Sequence, residues 1–449
     1  MFIILTERET TMRRSYLAIP ILALLLLAAH ALRQADFGQF IALVMLVCIL
    51  GTRNSWVRLV CIAVLVYGGV FWAQTTIDYI LFRQAFHMPW VRLTCIMGSI
   101  LIVNSIALWV LNSEESQRFF SRSKQTEHIR FASFFLTISG LVLAKSMAPF
   151  PILLIDRYLP GWGWVEVMLL GYYAQALSSA LISPEKHIFY RPRIWGLFSV
   201  IFFAQFFLGI LGFDQMLMTG VLHLPVPALI VAGPLYRGEG YFMIILFIVT
   251  LLLVGPAWCS HLCYIGAWDD RMSRFGPRPQ ARRGLKQLSI IGRLVSLTLS
   301  IGGAIQCRSK GIPVLNMLIY AAAFGGLGIC LMLFISRRVG MMTHCTAYCP
   351  MGLIAVILGK ISLWRLRISP QCTGCGACIK KCRYNALDKV QIELRKPGYS
   401  CTLCGDCVSA CKHGHIGYRL PFLSEKKARE IFIVLVVSLH AIFLGVARI

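Results

Sequence analysis

An all-α polytopic membrane fold with a small α+β domain near its C-terminus is predicted by three observations. First, 57 % of the 449 residues are hydrophobic and only 14 % are charged, where a soluble chain carries about 25 % charged residues. Second, the apolar residues are gathered into eleven long runs that contain almost no charge. Third, a polar, cysteine-rich stretch separates the last two of those runs.

Taken in order, the runs are Ser15–Leu32, Phe37–Gly51, Trp56–Leu81, Trp90–Leu111, Ile129–Ile155, Trp162–Ile182, Ile194–Phe213, Tyr241–Trp258, Leu288–Ile305, Pro313–Ile335 and Ile431–Ala447. About 20 apolar residues cross a bilayer as a helix, so eleven transmembrane helices are expected. Phe37–Gly51 is the shortest. Arg13 and Arg14 precede the first run, and the small residues around Ala31 resemble a signal-peptidase site. The run is long for a signal peptide and a second follows at once, so an uncleaved anchor is expected.

Two apolar stretches do not suit a full span. Phe213–Pro234 holds Pro225, Pro227 and a Gly233-Pro234 pair, and proline removes a helix donor. It reads as a re-entrant or interfacial element near 213–234. Met351–Leu363 is too short to cross and reads as an interfacial or half-penetrating helix.

The formal net charge is +25. The basic residues cluster in short connections: Arg118, Arg122, Lys124 and Arg130; Lys186, Arg191 and Arg193; and Arg271, Arg274, Arg278, Arg282, Arg283, Lys286 and Arg293. Alternation of basic-rich and basic-poor connections is the positive-inside pattern. It predicts contact with membrane lipid rather than nucleic acid, an N-terminus in the cytoplasm, and Ile449 outside. Four regions follow: 1–240, a multi-span region; 241–365, a membrane core; 366–420, the small polar domain; and 421–449, a final membrane helix. Trp258 and Trp268 read as members of an interfacial aromatic belt.

The polar domain carries the chemistry. It reads CTGCGACIKKC, an 18-residue gap, then CTLCGDCVSAC. Each run is C-x-x-C-x-x-C-x-x-x-C, the two-cluster ferredoxin pattern, in which the fourth cysteine of each run ligates the other cluster. The assignment is Cys372, Cys375, Cys378 and Cys411 on one [4Fe–4S] cluster, and Cys401, Cys404, Cys407 and Cys382 on the other. A structural zinc module spaces two C-x-x-C pairs more widely. Thiolate-held clusters call for a reducing compartment, so the domain is expected in the cytoplasm.

A second constellation lies before it. WCSHLCYIGAWDD supplies Cys259 and Cys263, and HCTAYCPMGLIAV supplies Cys345 and Cys349. Each C-x-x-x-C is followed by an apolar residue and a glycine (Gly266, Gly352), at the end of a long apolar run. Positions i and i+4 share a helix face, so each pair presents two sulfurs together. Four sulfurs suit zinc, copper(I) or an iron–sulfur cluster, or a thiol–disulfide couple. The other five cysteines, Cys48, Cys61, Cys95, Cys307 and Cys330, read as small buried hydrophobes.

Two such motifs ahead of a two-cluster ferredoxin region resemble the NapH/NosR-type membrane ferredoxin proteins, over Tyr241 to about Tyr418. The resemblance implies electron transfer between the quinone pool and a reductase or cytochrome partner, as a quinol-dehydrogenase component of a respiratory chain in a bacterial inner membrane. A related copper-assembly protein shares the plan, which implies an alternative: handling of a copper cofactor at the paired cysteines. The chain departs from the pattern at Tyr264, where only the second motif has its proline (Pro350). Arg383 and Lys412 stand where a proline usually follows the fourth cysteine. Cations there are expected to raise the cluster potentials.

Quinone chemistry moves protons with electrons. The titratable groups in or near apolar runs are Asp78, Lys145, Asp156, Glu166, Asp214, His223, His261 and His344. Lys145, His261 and His344 are the catalytic candidates. Lys145 lies mid-way through its run, or else ends a shorter helix before Pro149 and Pro151. A transporter is the third class, but no pair of broken, charge-lined helices recurs in two halves. No phosphate-binding loop or hydrolase arrangement is present.

Overall fold

The computed structural model describes residues 17–50, 55–120, 126–217, 224–279 and 283–446. His223, Arg13, Arg14, Arg122, Lys124 and Arg282 lie outside the described residues. The chain divides into two compact units. One comprises Met1–Ile138 and Val142–Tyr172; the other comprises Ser139–Leu141 and Tyr173–Ile449.

Each of the eleven apolar runs forms a helix. Among the described residues, eight helices are long and apolar enough to cross a membrane: Ser55–Ala85, Val91–Asn112, Glu127–Met147, Pro184–Ile210, Phe242–His261, Ser289–Ser309, Val314–Val339 and Glu425–Val446. Ala18–Arg33 and Phe37–Leu50 are apolar but shorter. Gly163–Leu181 has 19 residues and is not among the eight. By length and composition these helices are those of a membrane protein.

In the first unit, Ala18–Arg33 turns at Ala35, whose φ is +57°, and returns as Phe37–Leu50. Asp36 Oδ1 accepts the Gln39 amide at 3.0 Å and starts the second helix. The unit's core joins Leu24, Leu46, Leu50, Trp56, Leu65 and Phe134. Glu127–Met147 stops just before Pro149. Lys145 is therefore in a last turn rather than mid-span. It pairs with Asp156 and lies 5.1 Å from the Trp164 ring centroid. Asp156 also accepts the Gly163 amide at 2.7 Å, and Glu166 accepts the Ile155 amide at 3.0 Å.

In the second unit, Arg365–Ile368 and Ile416–Arg419 pair as a two-stranded antiparallel sheet, with Leu366 opposite Tyr418. The strands bracket the eight-cysteine stretch and close it into a domain. One sheet face is apolar and buried, through Leu366, Ile368, Ile416 and Tyr418. That face packs on helix Glu425–Val446, where Tyr418 stacks on Phe432 with centroids 4.3 Å apart. The same core takes in Ala174, Leu177 and Leu181. The domain is thus continuous with the apolar helices, not suspended from them.

Several expectations are corrected here. Within Met351–Leu363 the helix is Pro350–Leu358, too short to cross, and Met351, Gly352, Leu353, Ala355 and Val356 are buried within the protein. Trp258 is no belt residue, being buried edge-on to Phe247 at 4.7 Å. Of the five remaining cysteines, only Cys61 and Cys307 are buried. Arg191 and Arg293, read as connection charges, lie inside helices at 0 % and 1 % exposure. The stretch 213–234 is broken by its prolines into a turn at Asp214–Met216 and a helix Leu229–Arg237. Asp214 is exposed.

Candidate iron–sulfur sites

The two cysteine runs fold alike. Gly376 and Gly405 occupy the same place in each run with φ of +72° and +82°, a conformation that favours glycine. Two residues earlier, the first run has Gly374 at +72°, and the second has Leu403 at +55°. The fourth cysteine of each run accepts an amide N–H from four residues on. Ala386 N donates to Cys382 Sγ at 3.3 Å, and His415 N donates to Cys411 Sγ at 3.3 Å. Such bonds stabilise thiolate sulfur.

The runs also interleave. A small cavity is lined by Cys382 of the first run together with Cys401, Cys404 and Cys407 of the second. Cys372, Cys375 and Cys378 lie within electrostatic reach of one another. The Cys411 turn is brought beside them by the Ser369 amide, which donates to His415 O at 2.8 Å. Cys407 is within reach of Cys378, so the two quartets are neighbours.

Their surroundings differ. Cys375 and its neighbours Thr373 and Gly374 are exposed, as are Lys380, Lys381 and Lys412. The second quartet faces the helices. His187 Nε2 donates to Cys404 O at 2.9 Å. Arg191 donates Nε and Nη2 to the two carboxylate oxygens of Asp406, both at 2.9 Å. Its Nη2 reaches Asp270 Oδ1 at 3.3 Å, and its Nη1 reaches Ser260 O at 3.1 Å. Arg274 bonds Asp270 at 2.6 Å and Asp406 at 3.3 Å. Burial alone would raise the Asp406 carboxyl, but Arg191 and Arg274 outweigh it and hold it below its ordinary value. Arg383 donates Nη1 to Ser273 O at 2.6 Å and Gly340 O at 2.8 Å. Its guanidinium fastens the domain to those turns.

At the paired motifs, all four sulfurs are buried and within electrostatic reach of one another. Asp269 Oδ2 accepts the Cys345 amide at 2.9 Å. His261 Nδ1 faces Ala257 O and Ser260 Oγ, at 3.3 and 3.0 Å. Among the described residues its Nε2 has no hydrogen-bond partner, and the His344 ring lies against Gly328.

The chemistry of the donor set fits iron–sulfur ligation. Burial pushes the Cys263 and Cys401 thiols each up to about 12 and Cys378 to about 11. Thiolates form in such places only beside strong positive charge, which bound iron supplies. Among the described residues no three His, Cys, Asp or Glu side chains are gathered for a single metal ion. In a cubane each cysteine binds a different iron, so its sulfurs stand further apart than around one ion.

A family model described as a 4Fe-4S binding domain matches residues 237–283. That stretch is similar to a 4Fe-4S binding domain, and part of the chain is similar to a ferredoxin-type protein. The methylamine utilization ferredoxin-type protein MauN of Paracoccus denitrificans (strain Pd 1222) is 26 % identical over 190 residues. That match covers 39 % of this chain and 62 % of the relative. No solved structure matches. The residues matched by the family model hold Cys259 and Cys263 rather than the eight-cysteine stretch.

Sequence reasoning missed Arg191, Asp270, Asp406, His187, Arg293 and Tyr384. It also missed His440, whose Nε2 is 3.1 Å from Tyr173 Oη and whose Nδ1 is 3.2 Å from His261 O. One signal was available. The chain has only 19 acidic residues, and three of them, Asp269, Asp270 and Asp406, fall in or just after cysteine motifs.

Gly405 gives a direct test of the second loop. A Cβ there would lie 2.5 Å from Tyr418 Oη and 2.8 Å from His187 Nε2, on top of the positive φ. Gly405→Ala is expected to cost at least about 1–3 kcal/mol and to lower iron content, read by a melting curve and iron analysis.

Proposed function

We propose that this chain passes electrons between the quinone pool and a redox partner protein through two [4Fe–4S] clusters in a bacterial inner membrane. The observation that carries the reading is the pair of interleaved cysteine quartets, one open to solvent and one turned toward the apolar helices. The proposed ligands are Cys372, Cys375, Cys378 and Cys411, and Cys401, Cys404, Cys407 and Cys382. Bound clusters supply one-electron redox chemistry; the chain spaces them and excludes water from one. In this reading all eleven apolar helices cross or enter the bilayer, with the N-terminus and the cluster domain cytoplasmic and the C-terminus outside.

A cleft of about 400 Å³ supports a quinone site. It is lined by Leu229, Leu299, Tyr320 and Phe324, an apolar lining that suits a quinone ring. Phe324 stacks on Tyr348 with centroids 4.7 Å apart, and Tyr348 adjoins Cys349. Copper handling at the paired cysteines is the less supported reading, because it needs sulfurs converging on one ion.

The test is EPR-monitored reduction of the purified protein by a quinol analogue. Reduction of both clusters upholds the reading; clusters that dithionite reduces but quinol never touches refute it. The partner side is tested separately. Lys380, Lys381 and Lys412 beside exposed Cys375 suit an acidic partner. Lys380→Glu with Lys381→Glu is expected to slow transfer to such a partner by roughly tenfold or more at low salt, with a smaller difference at high salt. A rate indifferent to both changes would remove the acidic-partner assignment.

A further inference from the structure

We propose that the basic cleft beside the second cysteine quartet binds the phosphate head group of an anionic phospholipid.

The cleft encloses about 530 Å³ and reaches Cys401. One side is made of helix ends. Pro256 follows helix Phe242–Val254, and Val356, Gly359 and Lys360 lie at the end of helix Pro350–Leu358. The other side is made of strand Arg365–Ile368 and the loop that carries Leu394, Lys396 and Tyr399. Trp364 ties the two sides together, its Nε1 donating to Leu253 O at 2.8 Å.

Four cations line the cleft, Lys360, Arg365, Arg367 and Lys396, and no Asp or Glu does. Among the described residues none of the four pairs with a carboxylate. The acidic residues of the adjoining helix Lys389–Glu393 do not neutralise them. Asp388, its cap, is held by Lys286 Nζ at 2.5 Å and accepts the Gln391 amide at 2.8 Å. Glu393 is exposed and outside the lining. Arg365 is fixed in place: its Nη1 donates to Gly359 O at 3.1 Å and Trp364 O at 2.6 Å. Those carbonyls are neutral, so its charge is left over. Lys360 Nζ lies 5.4 Å from the Tyr399 ring centroid, which holds it over the cleft. Four like charges around one space repel, and an anion among them removes the repulsion.

The rim favours a lipid over a soluble phosphate. Ile361 and Leu363 stand between Lys360 and Trp364 in sequence and are 68 % and 64 % exposed. Ile357 and Leu394 are exposed as well, and so are Leu252 and Leu253 on helix Phe242–Val254. A soluble anion would leave this apolar surface in water. A phospholipid covers it with acyl chains while the cations hold its head. Basic pockets at the ends of membrane helices take anionic head groups in this way.

The experiment is native mass spectrometry of the full chain purified in detergent. The probes are phosphatidylglycerol, zwitterionic phosphatidylcholine and, as the soluble phosphate, glycerol 3-phosphate. Wild-type protein is expected to keep one phosphatidylglycerol at activation that strips phosphatidylcholine, and glycerol 3-phosphate at the same concentration is expected not to displace it. Each cation lost is worth roughly fivefold in affinity, so Lys360→Gln with Arg367→Gln and Lys396→Gln is expected to weaken retention about a hundredfold. These three side chains are exposed, and the melting temperature is expected to hold. Should the triple variant melt early, Lys396→Gln alone is expected to weaken retention by roughly fivefold. Lys380→Gln with Lys381→Gln and Lys412→Gln removes the same charge outside the cleft and is expected to change nothing. Equal retention of the two lipids, or equal weakening by the two triple variants, would overturn the proposal. Displacement of the lipid by glycerol 3-phosphate would overturn the lipid assignment and give the cleft to a soluble phosphate.

Discussion

Cys404→Ser is expected to abolish one of the two ferredoxin-type clusters, removing about four irons per chain, and to bring quinol-driven reduction of the remaining solvent-side cluster to background. Cys404 is held to the helices through His187, which donates to its carbonyl at 2.9 Å. Serine changes the ligand without disturbing that bond, so the loop keeps its place while the soft donor is lost. Cys375→Ser at the exposed loop is expected to remove the other cluster and leave quinol reduction of the inner one intact. The contrast is read by EPR before and after quinol addition. Equal loss of both signals in both variants would show that the quartets are not independent sites.

Asp406→Ala is expected to be nearly as damaging without touching a ligand. Asp406 sits between Cys404 and Cys407 and takes both arms of the Arg191 fork at 2.9 Å. Removing one partner of a buried ion pair costs about 3–5 kcal/mol, because the other charge is left without compensation. Arg191 retains Asp270 at 3.3 Å, which places the effect toward the lower end. Loss of thermal stability in detergent and release of iron from the second quartet are the readouts. Arg191→Met combined with Asp406→Ala is expected to recover part of the stability, since no orphaned guanidinium remains. A double variant no better than the single would point to packing rather than charge.

The eight-cysteine stretch was legible because its spacing is local. Four residues within eleven positions, twice, carry their own geometry. The apolar runs were legible for a similar reason, since length and lack of charge are enough to mark a helix. Two runs, Ser15–Leu32 and Phe37–Gly51, are themselves short, and their helices among the described residues have 16 and 14 residues. The charges were not legible. Arg191 and Arg193 stand two apart and look alike in sequence, yet one is at 0 % exposure and the other lies over the Phe189 ring 3.1 Å from its centroid. What separates them is Asp406, 215 residues away. Arg293 misled for the same reason, as its neighbours come from three separate elements. Tyr384 and His440 carry no motif at all; only packing gives them a place between cysteines or beside His261.

The pairing of Arg365–Ile368 with Ile416–Arg419 also bears on how the protein is made. The first strand leaves the ribosome about fifty residues before its partner, so the cysteine loops have no closed frame during that interval. Even then the apolar sheet face waits for Phe432, on a helix that begins at Glu425. Closure of the cysteine loops therefore waits for helix Glu425–Val446. Truncation after residue 424 is expected to yield chains inserted through their earlier helices, yet unable to retain iron in either quartet.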